Sequence, residues 1–252
     1  MMAKQMRLDR FLAEMGQGTR SGVREQIRKG RVTVNGSLEK KPERKIEAGK
    51  DRIVLDGREI SYVCLEYYML NKPAGVLSAT EDKKRETVVD LIKEKSRKDL
   101  FPVGRLDLDT EGLLLITNDG ELAHQLLAPK NHVDKVYYAR CKGRPDEEAI
   151  RQFEAGFVLP DGLSCLPAGL KVLDSKDLPE GDEAGLEGTV SEVLITLREG
   201  KFHQVKRMME AAGCPVLYLK RLSMGPIRLD PALKPGKYRP LTEEEVELLK
   251  KR

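Results

Sequence analysis

The segment Gly104-Arg105-Leu106-Asp107-Leu108-Asp109-Thr110-Glu111-Gly112 places three carboxylates within five residues, directly ahead of the apolar run Leu113–Ile116. Short polar residues in such a loop can simply make turn hydrogen bonds. The same carboxylates can also sit in a cleft, where one of them serves as a nucleophile or base and needs a nearby cation to stay ionised. Arg105 is adjacent in sequence. A second source of positive charge is Lys201, Lys206 and Arg207 in the run EGKFHQVKRMMEAAG, bracketed by Gly200 and Gly213. Taken alone, that run also fits a surface helix with a basic first turn.

A second cluster lies near the start. Arg20, Arg24, Arg28 and Arg31 are spaced four, four and three apart, with Lys29 beside them. Like charges at this spacing repel along one helical stripe unless an anion lies across them. Phosphates along a nucleic-acid backbone would suit, since such contacts position a protein without reading sequence. An ordinary solvated helix face is the other reading.

Several chemistries are excluded by absence. The chain has no phosphate-binding loop, no G-x-G-x-x-G after a strand and no H-E-x-x-H. It has only three histidines, and Cys64, Cys141, Cys165 and Cys214 stand far apart without a C-x-x-C. No metal site and no nucleotide cofactor are expected. A hydrolase using Asp107 and Glu111 as paired carboxylates lacks a second supporting motif.

The elements that must hold these residues can be read from periodicity. Leu8, Phe11, Leu12 and Met15 mark one face of a helix broken by Gly16 and Gly18. Ser21 is placed to cap a second helix, with Val23 and Ile27 inward and Gly30 at its end. Val32 and Val34 alternate into an Asn35-Gly36 hairpin turn, and Arg52–Leu55 reads as the next strand. Further on, a short helix is expected around Val88–Ile92 and a buried strand at Leu113–Ile116. A helix should follow with Leu122, Leu126 and Leu127 on one face. Strands are expected at Val133–Cys141, Val190–Leu197, 216–223 and 226–229. Helices are expected at 145–155, Gln204–Ala212 and after Thr242. Strands and helices mix without regular alternation, which predicts an α+β fold with a mainly antiparallel sheet.

The chain has 252 residues, 34% of them charged, with 45 Lys+Arg against 41 Asp+Glu. Residues 1–62 carry a net charge of +6 and the remainder −2. This predicts a small basic unit, 1–62, joined to a larger and nearly neutral one, 63–252. No apolar run approaches the ~18 residues needed to span a bilayer, and the first residues lack a signal-peptide apolar stretch. A cytoplasmic protein with no membrane partner is expected.

MRLDRFLAEMGQGTRSGVREQIRKGRVTVNG resembles the S4 RNA-binding domain, whose members bind structured RNA. LNKPAGVLSATED, GRLDLDTEGLLLITNDG, DKVYYA, LREGKFHQVKRM and PGKYRPLTEEE follow in order. Together they resemble the RsuA-like family of pseudouridine synthases, which isomerise uridine in ribosomal RNA. The resemblance implies a cofactor-free monomer that acts on ribosomal RNA, 16S being favoured, within an assembling small subunit. It implies Asp107 as the catalytic aspartate acting at the sugar, as nucleophile or as base. Tyr137 is then the tyrosine that meets the flipped uracil, and Tyr138 should point to the opposite face of its strand. Lys206 is the cation partnering Asp107, with Arg207 as the alternative. Arg105, Arg207, Lys72, Arg20, Arg24, Arg28, Lys29 and Arg31 are the implied contacts to RNA. The FHQVKRM variant with His203 and the PGKYRPLTEEE ending look more like the small-subunit branch, whose target is uridine 516 of 16S rRNA. The alternatives are a synthase acting on 23S rRNA and a non-catalytic rRNA-binding assembly factor.

Overall fold

The computed structural model describes residues 4–178 and 188–251. The chain divides into two compact units, Met1–Glu66 with Ile92–Leu100, and Tyr67–Leu91 with Phe101–Arg252. A single cut at 62/63 therefore misses a returning segment. Arg97 anchors that segment: its side chain is 5% exposed and bonds Glu14 at 3.0 Å, Asp99 at 2.5 Å and the Val63 carbonyl at 3.2 Å. The Glu66 carboxylate accepts from the backbone N–H of Ser96 and Arg97.

The smaller unit packs helices Leu8–Glu14 and Arg20–Arg28 on short strands. Leu8, Phe11, Leu12, Met15, Val23 and Ile27 form its core with Val32, Val34 and Ile53. Thr19, not Ser21, caps the second helix: its hydroxyl accepts from the Gly22 N–H at 3.1 Å, and Ser21 already lies within the helix. Asn35 and Gly36 both have positive φ, the turn that matches the twist of a two-residue hairpin.

The larger unit is built on one sheet. Its strands run in the order Gly169–Leu178, Gly188–Leu197, Lys135–Lys142, Val216–Met224, Glu111–Thr117, Tyr67–Lys72 and Tyr238–Pro240. All these neighbours are antiparallel except Val216–Met224 with Glu111–Thr117, which are parallel. Helices Gly120–Leu127, Glu147–Ala155, Gln204–Ala211 and Glu243–Lys250 complete the unit. The helix expected near Val88–Ile92 does not form. Asp90 instead accepts from the N–H and hydroxyl of Thr87, a local bond that competes with helical turns. Leu127 is 39% exposed rather than turned inward with Leu122 and Leu126.

The parallel pair sets the strand that follows the carboxylate loop one strand away from Lys135–Lys142, which carries Tyr137. It requires a glycine at 112, where φ is +100° and an added Cβ would lie 2.3 Å from the Arg221 carbonyl oxygen. Neither backbone can yield without opening the sheet. Gly112→Ala should therefore destabilise the fold by more than about 3 kcal/mol. Thermal unfolding should show this as a fall in Tm of at least about 6 °C. An unchanged Tm would mean that the two strands are not held this closely.

Candidate active site

Asp107 sits in a loop whose shape is fixed from beneath. Ser78 Oγ donates to the Leu106 carbonyl at 2.8 Å and accepts from its N–H at 3.1 Å. Lys72, fully buried, donates from Nζ to the carbonyls of Pro73, Leu108 and Thr110 at 3.0, 3.2 and 2.9 Å. All three ammonium hydrogens are thereby used. Lys72, expected among the RNA contacts, is instead a clamp on the loop and offers no charge to solvent. Burial pulls its pKa down to about 8, against the opposing pull of Asp109, Asp107 and Glu111.

The cations approach from the segment 199–207. Lys206 Nζ lies 3.5 Å from Asp107 Oδ2 and 2.5 Å from Asp109 Oδ1, so one ammonium bridges two carboxylates. Its hydrogen bond holds the Asp109 carboxyl below the ordinary range. Arg207 points elsewhere and pairs with Asp161. Lys206, not Arg207, is the neighbour of Asp107. On the other side, His203 Nε2 lies 3.7 Å from Asp107 Oδ1. Sequence reading gave His203 no contact with the aspartate.

Tyr137 lines the same cavity as Arg105, Asp107 and His203 and is 8% exposed. A register shift in the partner strand falls beside it: Val136 faces Ser223, whereas Tyr137 faces Arg221. Such a bulge re-aims side chains. Tyr138 takes the opposite face, edge-on to Tyr218. The Tyr218 hydroxyl donates to Glu111 at 2.7 Å. Glu111 is thus engaged away from Asp107, which removes the paired-carboxylate arrangement. Arg105 is exposed at the cavity and makes no ion pair or hydrogen bond among the described residues. A carboxylate flanked by a lysine, with a tyrosine ring across the cavity, can act on an electrophilic carbon or a proton of a flat, neutral ligand. Among the described residues, no group of three His, Cys, Asp or Glu is placed to hold a metal ion.

The expected basic stripe is only partly a free one. Arg24 Nε bonds the buried Asp9 at 2.7 Å, together with Arg7. Lys29 pairs with Glu25, and Arg31 lies beyond the helix, paired with Asp56. Arg20 and Arg28 are exposed and have no such partner among the described residues.

Comparison with known proteins finds two families along the chain. Residues 66–211 match the RNA pseudouridylate synthase family, and residues 6–53 match the S4 domain. The chain therefore belongs to the RNA pseudouridylate synthase family, carries an S4 RNA-binding domain, and is an RNA pseudouridine synthase. It is 45% identical to an uncharacterized RNA pseudouridine synthase of Bacillus subtilis, over 97% of this chain and 98% of the relative. It is 38% identical to ribosomal small subunit pseudouridine synthase A of Vibrio cholerae, over 96% of this chain and 98% of that one. It is also 38% identical to ribosomal large subunit pseudouridine synthase B of Bacillus subtilis, over 97% and 95%. A pseudouridylate synthase crystal structure superposes with a TM-score of 0.64 at 33% identity, covering 97% of this chain and 99% of the other.

Proposed function

We propose that this enzyme isomerises one uridine of ribosomal RNA, uridine 516 of 16S rRNA, with Asp107 as the reacting group. The observation that carries the reading is the carboxylate of Asp107, held by a clamped loop beside Lys206 and facing Tyr137. In the reaction, uracil leaves C1′ through N1, rotates and rejoins through C5, losing its C5 hydrogen as a proton while N1 takes a proton up. Nothing is oxidised or consumed, so no cofactor is needed. Asp107 acts at the sugar, as nucleophile at C1′ or as base for a sugar proton. Lys206, whose Nζ lies 3.5 Å from Asp107 Oδ2, orients the carboxylate. Tyr137 offers a ring against which the extruded uracil stacks, and its hydroxyl takes part in the proton transfer at C5. Arg105 holds the position the uridine vacates. Extruding the base costs a few kcal/mol, offset by contacts to the RNA backbone.

Arg20 and Arg28 supply part of that contact. Replacing both with Gln should flatten the dependence of log K on log[salt] by about one and a half to two units. An unchanged slope, measured at four salt concentrations, would contradict their role. Arg24→Gln should instead lower stability, by about 1–3 kcal/mol, because the buried Asp9 loses one of its two guanidinium partners.

The FHQVKRM segment and the PGKYRPLTEEE ending favour the small-subunit target, and a monomer acting in the cytoplasm on an assembling subunit. The equal identity to a large-subunit enzyme favours 23S rRNA as the second reading. Mapping pseudouridine in both rRNAs of a strain lacking the protein decides between them. Loss at uridine 516 is the expected result. Loss at a single 23S position gives the second reading, and an unchanged map in both overturns the rRNA assignment.

A further inference from the structure

Phe202 has no role in the reaction described above, yet at 74% it is the most exposed large apolar side chain among the described residues. Its ring stacks on His203 with centroids 3.8 Å apart and planes within 17°. His203 in turn reaches to 3.7 Å from Asp107. The exposed ring is thus one side chain removed from the reacting carboxylate. We propose that Phe202, backed by His203, is the stacking platform for the nucleobase next to the target uridine, and so a contact that adds affinity for RNA. The proposal rests on reading the cavity as the place where uridine is isomerised.

The surrounding backbone is built to hold this pair still. His203 has φ 49° and ψ 31°, the left-handed region that few residues other than glycine adopt, and it makes no capping bond to the helix it precedes. Glu199, 5% exposed, fixes the turn by accepting from the Leu166 N–H and the Gln204 side chain. Lys201 closes it through its N–H to Gln204 Oε1 and its ammonium to Glu199 and the Ser164 carbonyl. Strained backbone held this way accumulates at functional sites.

A nucleobase is the occupant that fits. With Arg105 in the gap that the uridine leaves, the exposed aromatic ring beside His203 offers the flanking base a flat partner on its other side. Arg105 lines the same cavity and suits the anionic backbone that accompanies a base. Stacking of this kind tolerates any base, because every base has a π-face.

The test is a double-mutant cycle between protein and RNA, read in Kd and in single-turnover rate. The probe is a synthetic stem-loop carrying the mapped uridine, intact or with an abasic site at its 5′ or 3′ neighbour. Phe202→Ala should weaken binding of the intact RNA by roughly ten- to a hundredfold, with Tm unchanged. Phe202→Trp should restore it, whereas Phe202→Leu should not. An abasic site at one neighbour should weaken wild-type binding by a similar factor and Phe202→Ala binding hardly at all. Equal affinity of wild type and Phe202→Ala, or additive losses at both neighbours, would overturn the proposal. A wild-type protein that binds but makes no pseudouridine would sink the isomerisation reading alone, since the binding cycle still decides on Phe202.

Discussion

Asp107→Asn is expected to reduce pseudouridine formation by at least about 10³-fold while leaving RNA affinity within about threefold of wild type. A positioned acid–base group contributes roughly 10²–10⁴-fold, and a nucleophile more. The amide is nearly isosteric, and the loop that carries it is held through backbone atoms by Lys72 and Ser78, so the cavity should keep its shape. Asp109→Asn is the matched control. It removes the closer partner of Lys206 but leaves Asp107 intact, so activity should stay within about tenfold of wild type. Single-turnover rates on saturating RNA make the comparison. A turnover by Asp107→Asn of even a third of the wild-type rate would show that another group reacts.

The second large effect is expected at Lys72. Lys72→Met preserves the buried stem but strips the donor from the Pro73, Leu108 and Thr110 carbonyls, two of which follow Asp107 within its loop. Displacing a reacting group by about 1 Å can cost around 10²-fold, and a loss of that order in kcat is expected. Affinity and its salt dependence should not change, because Nζ is out of reach of phosphate. A lysine that contacted RNA would give the reverse pattern.

Global stability at pH 7 should move much less than kcat. Each carbonyl left without a donor costs about 1–3 kcal/mol, but the substitution also relieves the penalty of burying the ammonium. That penalty has a signature in pH. The pKa of Lys72 is about 8 in the fold against 10.5 for the free side chain, so between these values the unfolded chain binds more protons. Wild type should therefore gain stability relative to Lys72→Met as pH rises from 8 to 10.5, by about 3 kcal/mol in all. Urea unfolding of both proteins at pH 7 and pH 10 measures it. A difference that stays constant would mean that Lys72 titrates normally.

The loop of Asp107 and its following strand were legible because the two signals coincide: clustered carboxylates, then a four-residue apolar run. The helices of the smaller unit were legible from the spacing of Leu8, Phe11, Leu12 and Met15, all of which are buried. What escaped depends on partners distant in sequence. Lys72 reads as a surface lysine until the carbonyls of Leu108 and Thr110 are seen to surround it. Arg24 reads as part of a stripe until Asp9, fifteen residues earlier, is found buried against it. With Lys29 and Arg31 paired as well, Arg20 and Arg28 are the two cations of the stripe that have no partner among the described residues. The return of Ile92–Leu100 to the smaller unit has no local signal at all, since Arg97 finds Glu14 only in three dimensions. His203 carried a signal of its own, its place three residues before Lys206 at the start of a helix. Its approach to Asp107 required the helix start to be known.

The most direct test of isomerisation at Asp107 is release of tritium from ribosomal RNA synthesised with uridine tritiated at C5. Joining the sugar to C5 expels that hydrogen into water, whereas binding or hydrolysis of the RNA does not. Purified protein, dialysed against EDTA and given prefolded RNA without nucleotide, is expected to release about one tritium per target uridine, and Asp107→Asn none. Absence of release by the wild type, or equal release by Asp107→Asn, would contradict the mechanism.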